Sequence, residues 1–393
     1  MTKKAESTDN NEPVQIPLFN INRKPEIQPL KYRSSDELLV ALLALKSIKG
    51  VGFRTLCSLF DNGFLSDIFL WTSEETAEKL GKLEIRNISD FTKTLIANKE
   101  KIFEHGIEAA KQLKEQNFHF IPLDHPDYPQ SFHLLSEPPR WLFVKGNLDV
   151  IKSPSIVGVV GTRSPTIDGQ RLAYFCASQL VRRNLVVLSG LAKGIDEKAH
   201  KGAVDFYGQS IAVLGYGFNE LDSAGSLALV DQILEFDGAV ISEYLPTEQA
   251  SRNTFLRRNE LQVALSKVII PIESPSLESG TGATIRRAKN INVPIVGITT
   301  STNSINENNL VSTRENLIKL GAKIYSLKNG ESSYFWEFLK NVMPEHDWES
   351  GSSMRQGRLF RGIELQVIQA KKKLDLDDAA IDRLADQLKK AIK

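Results

Sequence analysis

The sequence predicts an α/β protein with a Rossmann-like, doubly wound and mostly parallel sheet, preceded by an all-helical domain and followed by a helical extension. Three observations carry that reading. Short runs rich in Val and Ile, apolar on both faces, recur from Ile156 onward between amphipathic helices, the pattern of parallel strands covered on two sides. Before residue 117 the apolar spacing is helical. Glycine-bearing turns follow the strands at the edge where an open α/β sheet gathers its ligands.

The elements follow in order. Residues 1–33 carry Asn, Pro, Lys and Glu without periodicity and are expected to form a disordered tail. Residues 34–117 are expected to form a helical domain of the SAM or helix-hairpin-helix kind. Its first helix opens at Asp36-Glu37, carries the stripe Leu38, Leu39, Leu42, Leu43 and Leu45, and stops at Gly50-Val51-Gly52. A second runs from Phe53 to Phe60, and a later one from Ile102 to Leu113. Residues 118–330 are expected to form the Rossmann-like core. Its strands fall at Ile156–Val160, Val186–Leu188, Ile211–Leu214, Ala239–Ile241, Val268–Ile272, Ile295–Ile298 and Lys323–Tyr325. Helices lie between them, from Asp168, from Ile195, near Leu227, over Ala283–Asn290 and near Glu315. Residues 331–393 hold an aromatic helix over Tyr334–Val342, a linker near Ser350–Gly357 and a last helix from Asp377, with Ile381, Leu384, Ala385, Leu388 and Ile392 on one stripe.

Composition narrows the function classes. Lys and Arg total 49 against 48 Asp and Glu in 393 residues, so no global field holds the chain on a polyanion and any such site is a local patch. The two cysteines, Cys57 and Cys176, form no Cys-x-x-Cys or His/Cys cluster, which argues against a disulfide scaffold or zinc site and for a reducing compartment. No apolar run has the length of a membrane span and the Met1 end is polar, so a soluble cytoplasmic protein is expected. There is no Gly-x-x-x-x-Gly-Lys-Ser/Thr loop and no Gly-x-Gly-x-x-Gly order, so neither ATP nor NAD is expected, nor any other cofactor or metal.

Five turns combine into a candidate phosphate-binding cleft. They are Gly161-Thr162-Arg163-Ser164, the segment Ser189-Gly190-Leu191-Ala192-Lys193-Gly194, Gly215-Tyr216-Gly217, Arg257-Arg258-Asn259 ahead of another helix, and Glu278-Ser279-Gly280-Thr281-Gly282. Glycine permits close backbone approach, helix N-termini present free N–H groups, and guanidinium grips phosphate bidentately. Asp196 is read as a brace for its turn, and His200, inside the helix that follows, as a packing or hydrogen-bonding residue more than an acid/base. No residue is assigned a catalytic role. Lys49-Gly50-Val51-Gly52, escorted by Lys46 and Arg54, reads either as a phosphate-contacting hairpin or as an ordinary glycine turn. In the tail, Gln15-Ile16-Pro17-Leu18-Phe19 is an apolar island; Gln15, Leu18 and Phe19 resemble a peptide that docks on the bacterial sliding clamp, with packing on its own chain as the alternative. Arg355, Arg358 and Arg361 could touch a phosphate backbone or form a solvated face.

The ordered segments Asp127-Tyr128-Pro129, Val160-Gly161-Thr162-Arg163, Ser189 to Asp196 with Ala199-His200, Ser242-Glu243-Tyr244, Phe255 with Arg257-Arg258-Asn259, Ser279-Gly280-Thr281 and Asn316-Leu317-Ile318 resemble the DNA-processing protein A (DprA, or Smf) family over about residues 36 to 328. The resemblance implies a homodimeric single-stranded-DNA-binding protein that loads a RecA-type recombinase during DNA uptake (natural transformation) or recombination. It makes Arg163 and Lys193 the leading phosphate ligands, with Arg257, Arg258 and Asn259 nearby. Glu260 stands where the family usually has a basic residue, and Leu256 where it has proline. Two other readings stay open. One is a nucleotide-binding or nucleotide-cleaving Rossmann protein, with Glu278 to Thr281 as its phosphate turn and Glu243 or Glu273 as acid/base. The other is a regulatory or antitoxin-like partner of a toxin in a phage-defence operon.

Overall fold

The leucine stripe and the Val/Ile runs need different partners, and the chain supplies them in sequence. In the computed structural model, which describes residues 34–348 apart from 66, 86, 222–223, 275, 300–307 and 328–331, five helices come first. They are α1 (Ser35–Lys46), α2 (Phe53–Asp61), α3 (Ser73–Gly81), α4 (Ile88–Ala97) and α5 (Lys99–Glu115). Then follow β1 (Phe118–Pro122), β2 (Trp141–Gly146), β3 (Ile156–Val160), α6 (Ile167–Val181), β4 (Val186–Ser189), α7 (Ile195–Val204) and β5 (Ser210–Val213). The chain continues with α8 (Ala224–Glu235), β6 (Ala239–Ser242), α9 (Arg252–Leu265), β7 (Val268–Pro271) and α10 (Gly280–Asn290). Last come β8 (Val296–Thr299), α11 (Asn308–Lys319), β9 (Lys323–Ser326) and α12 (Ser333–Val342).

The starts of α1, α3, α6, α9 and α10 are set by polar caps. The Ser34 hydroxyl accepts from the Glu37 N–H at 3.2 Å, with Asp36 and Glu37 in the first turn to complement the helix dipole. Thr72 and Glu75 form a reciprocal capping box on α3. The stripe of α1 buries Leu38, Leu39, Leu42, Leu43 and Leu45, and α5 crosses it closely.

The main sheet has the order β1-β2-β6-β5-β4-β3-β7. Strands β6, β5, β4, β3 and β7 are parallel, while β2 pairs antiparallel with β6 and with β1. Strands β8 and β9 pair in parallel, and a parallel bridge from Ile269 to Ile295 ties them to β7. All five positions of β3 are buried, and they alternate between the two faces of the sheet. Val157 and Val159 join Leu172, Cys176 and Leu180 of α6 and Phe335 and Leu339 of α12. Ile156 faces the other way, against Leu261 and Leu265 of α9. This is a mostly parallel, Rossmann-like sheet covered on both faces, as expected. The sequence reading named no strand before Ile156; β1 and β2 are additions, built from aromatic and mixed residues whose antiparallel pairing the Val/Ile criterion does not detect.

The helical segment docks on this antiparallel edge. Phe53 and Phe60 of α2 meet Trp141 of β2 with centroids 5.7 and 5.5 Å apart, and Arg140 forms a fork with Asp61 at 2.9 and 2.7 Å. Lys46 pairs with Glu248 at 2.9 Å. No described helix is long and apolar enough to cross a membrane. The tail peptide Gln15, Leu18 and Phe19, the arginines at 355, 358 and 361, and the expected last helix lie outside the described residues.

Gly106 sets how closely α5 approaches α1. A Cβ there would stand 2.4 Å from the Val40 carbonyl oxygen and 2.6 Å from the Ala44 Cβ. Helix propensity alone favours Gly106→Ala by roughly 0.5–1 kcal/mol. Forcing the helices apart costs about 1–3 kcal/mol, so urea unfolding of Gly106→Ala is expected to show net destabilisation.

Candidate functional site

β4, β5 and β6 lie to one side of β3, whereas β7 and the strands after it lie to the other. The loops leaving the carboxyl ends of β3 and β7 therefore diverge, which is where open α/β sheets form a crevice. A cleft of about 750 Å³ opens at that point, walled by the Gly161-Thr162-Arg163 turn, by α9 and by the start of α10.

The β3 turn is held from two sides. The Thr162 N–H donates to the Glu273 carbonyl at 2.9 Å, and the Ile195 N–H donates to the Thr162 carbonyl at 3.2 Å. The buried Glu273 carboxylate accepts from the Thr166 N–H at 3.0 Å and from its hydroxyl at 2.5 Å, while Thr166 caps α6. Arg163 is exposed, with its guanidinium 4.3 Å from the Phe255 ring centroid, and it forms no ion pair among the described residues.

The floor is a buried ion pair. Arg258 Nη1 donates to the carbonyls of Gly190 (2.5 Å) and Val213 (3.1 Å) and stands 3.8 Å from the Asp196 carboxylate. Burial lowers the pKa of Arg258 and raises that of Asp196, and each charge partly restores the other. Arg258 Nε and Gln262 Nε2 are buried donors with no acceptor in the protein, and both residues line the cleft. A Cβ at Gly190 would fall 1.4 Å from Arg258 Nη1, so only glycine fits beneath this side chain.

His200 is fully used. Its Nε2 accepts from the Leu191 N–H at 3.3 Å, and its Nδ1 faces the Ser210 hydroxyl at 2.7 Å. That hydroxyl already donates to the Val187 carbonyl at 2.9 Å, so Nδ1 carries the proton and the ring is neutral. Burial, reinforced by Arg258, pushes its pKa down to about 3. It braces Leu191, whose φ is +58°, in the turn after β4.

On the opposite wall Ser279 caps α10, its hydroxyl accepting from the Gly282 N–H at 3.0 Å. Asn259 ties α9 to this terminus by donating to the Gly280 carbonyl at 3.2 Å. A Cβ at Gly280 would meet nothing within 4 Å, so no packing in the protein requires glycine at this point of the cleft. Arg286, at its rim, donates to the Leu277 carbonyl and stands 3.9 Å from Glu278. Arg163, Arg252, Arg258 and Arg286 line the cleft against only Asp196 and Glu278.

Of the expected ligands, Gly161, Thr162, Arg163, Arg258, Asn259, Ser279, Gly280 and Thr281 come together here. Others do not. Ser189 is buried and donates to the Val159 carbonyl at 2.6 Å. Gly190 lies beneath Arg258, and Ser164, Lys193 and Gly194 occupy the neighbouring turns outside the lining. Residues 257–259 lie within α9, not ahead of a helix. Arg257 leaves the cleft for Glu243 (2.9 Å), Glu260 (2.8 Å) and the Glu137 carbonyl (2.7 Å). Glu260, the acidic departure from the family pattern, thus answers Arg257 and stands 3.8 Å from Arg287. Lys49, Gly50 and Gly52 lie in the α1–α2 turn, with Gly50 at φ +89°, Arg54 stands in the first turn of α2, and none of them lines the cleft. The sequence reading missed Arg252, Gln262 and Arg286 as cleft residues; Arg252, Phe255, Asn259 and Gln262 share a helical spacing that could have found the first two.

Fold and site together define a Rossmann-like α/β protein with an arginine-lined cleft at its topological switch point. The family of the DNA recombination-mediator protein A matches residues 119–333, more than half of the chain, and the chain belongs to it. Protein Smf of Synechocystis sp. is 32% identical over 267 residues, 66% of this chain and 64% of the relative. Protein Smf of Escherichia coli is 36% identical over 176 residues, 45% of this chain and 46% of the relative. The chain thus spans between about half and two thirds of the length of these curated relatives. Among solved structures, DNA processing protein A (DprA) from Streptococcus pneumoniae is 25% identical with a TM-score of 0.50, covering 74% of this chain and 94% of that one.

The depressed His200 pKa gives a pH dependence of stability. Between about 3 and the ordinary 6.5 the unfolded chain binds the His200 proton and the folded chain does not, so stability falls as pH drops through that window. Asp196, raised by burial, acts in the opposite sense from the ordinary carboxylate value upward. Urea midpoints are expected to fall more steeply from pH 6.5 downward in the parent than in His200→Gln.

Proposed function

We propose that the cleft binds the sugar-phosphate backbone of single-stranded DNA and that the chain acts by holding the strand, without cleaving it. The observation that carries this reading is the set of arginines 163, 252, 258 and 286 gathered around the start of α10, where Gly280 leaves room for close approach. Phe255 and exposed Leu256 in the same lining supply apolar surface for bases, which single strands expose and duplexes stack away. The family's description as a recombination mediator supports a role in DNA processing, and we extend the proposal to delivery of the strand by a homodimer to a RecA-type recombinase.

A nucleotide-cleaving site is less well supported. Glu243 is engaged by Arg257 and Glu273 by Thr166, and neither carboxylate lines the cleft. Incubation with nucleoside monophosphates is expected to release no free base; release would favour cleavage.

Arg163→Ala and Arg252→Ala are each expected to weaken binding of oligo(dT) about ten- to a hundredfold, since a charge-assisted hydrogen bond contributes roughly 1.5–3 kcal/mol. Removing one phosphate ligand should also reduce the slope of log affinity against log salt by about 0.7. Parent-like affinity and salt slope in both variants would sink the assignment. Gly280→Leu is expected to shift unfolding stability by less than about 1 kcal/mol while obstructing the strand, read by fluorescence anisotropy beside a urea titration.

A further inference from the structure

At the far end of α6 lies a second concave site of different make-up. It measures about 470 Å³ and is lined by Gln179, Arg182, Arg183, Trp336, Lys340 and Trp348. No carboxylate is in that lining, and Arg182 and Lys340 are exposed and form no ion pair among the described residues. The Arg183 guanidinium stacks 3.6 Å from the Trp336 ring centroid and donates to the Gln179 carbonyl at 3.2 Å, which fixes one wall. Trp348 is fixed by donation from its indole N–H to the Met343 carbonyl at 3.1 Å. The Trp336 indole nitrogen is buried with no acceptor in the protein.

We propose that this pocket is a second subsite for a nucleotide unit of a single strand. Arg182 and Lys340, without a counter-carboxylate among the described residues, select a phosphate, and two indoles in one small pocket select a planar ring to accompany it. The volume falls in the range of small-ligand sites. An acidic peptide would satisfy the cations but would leave the Trp348 wall without a planar partner, whereas Trp336 already carries the Arg183 guanidinium on its ring. The proposal rests on the single-strand reading of the cleft and extends it: α6 begins at the cleft with the Thr166 cap and ends 15 residues later beside Arg182, roughly 22 Å along the helix axis. A strand that fills both sites therefore runs the length of α6.

The test uses the full chain and indole fluorescence. Trp71 and Trp141, the other two of the four tryptophans, are buried elsewhere, and Trp348→Phe assigns the signal while keeping a ring. The trinucleotide dT3, about 10 Å long when stacked, is too short to reach both sites. Its quenching is expected to persist in Arg163→Ala/Arg252→Ala and to need at least fivefold more ligand in Arg182→Ala/Lys340→Ala. Absence of quenching in the parent overturns the proposal, as does a parent-like titration of Arg182→Ala/Lys340→Ala. Equal quenching by poly-glutamate overturns it in favour of an acidic-peptide site. Failure of the cleft reading appears separately, as parent-like binding of a 20-residue oligo(dT) by Arg163→Ala/Arg252→Ala in anisotropy.

Discussion

The guanidinium of Arg258 is the part on which the carboxyl edge of the sheet depends. It stands inside the protein, where an unpaired cation is strongly disfavoured, and the local backbone is arranged to receive it. The carbonyl after β4, the last carbonyl of β5 and the first-turn carboxylate of α7 all converge on it. Gly190 leaves the space, and His200 props the turn that presents the Gly190 carbonyl. Loss of this one side chain would strand Asp196 as a buried acid without its counter-charge and remove the guanidinium donors from the base of the cleft.

A division of labour between neighbouring residues follows. Arg257 and Arg258 are adjacent on α9, and a helix turns about 100° per residue. One arginine can therefore serve the floor of the cleft while the next locks α9 to Glu243 and Glu260 on another side. Glu260 is understandable in this setting. It gives Arg257 and Arg287 a counter-charge, so these cations are answered within the protein, whereas Arg163 and Arg252 on the cleft side carry no ion pair among the described residues.

The sequence made the parallel strands legible because burial on both faces demands Val and Ile at nearly every position, as in Ile156–Val160. It made the Gly161 and Ser279 turns legible because hydroxyls and glycines at strand ends have few other uses. Reading Arg257-Arg258-Asn259 as one block concealed that helix geometry separates its members. Arg252 and Arg286 stand in no glycine turn and become cleft residues only when α9 and α10 are brought face to face. Strands β1 and β2 escaped notice because an antiparallel edge tolerates Phe, His, Trp and Lys, which no Val/Ile run announces.

The clamp on residues 161–166 has a thermodynamic consequence. Glu273 holds the Thr166 cap, Thr162 is bonded on both sides, and the turn has its shape before any ligand arrives. The conformational entropy of ordering this wall is then lost once, during folding, and association draws instead on the release of counterions and surface water. Under the proposed reading, encounter with a strand resembles docking onto a finished electrode, fast and governed by ionic strength, more than the slow wrapping of a loop around its ligand.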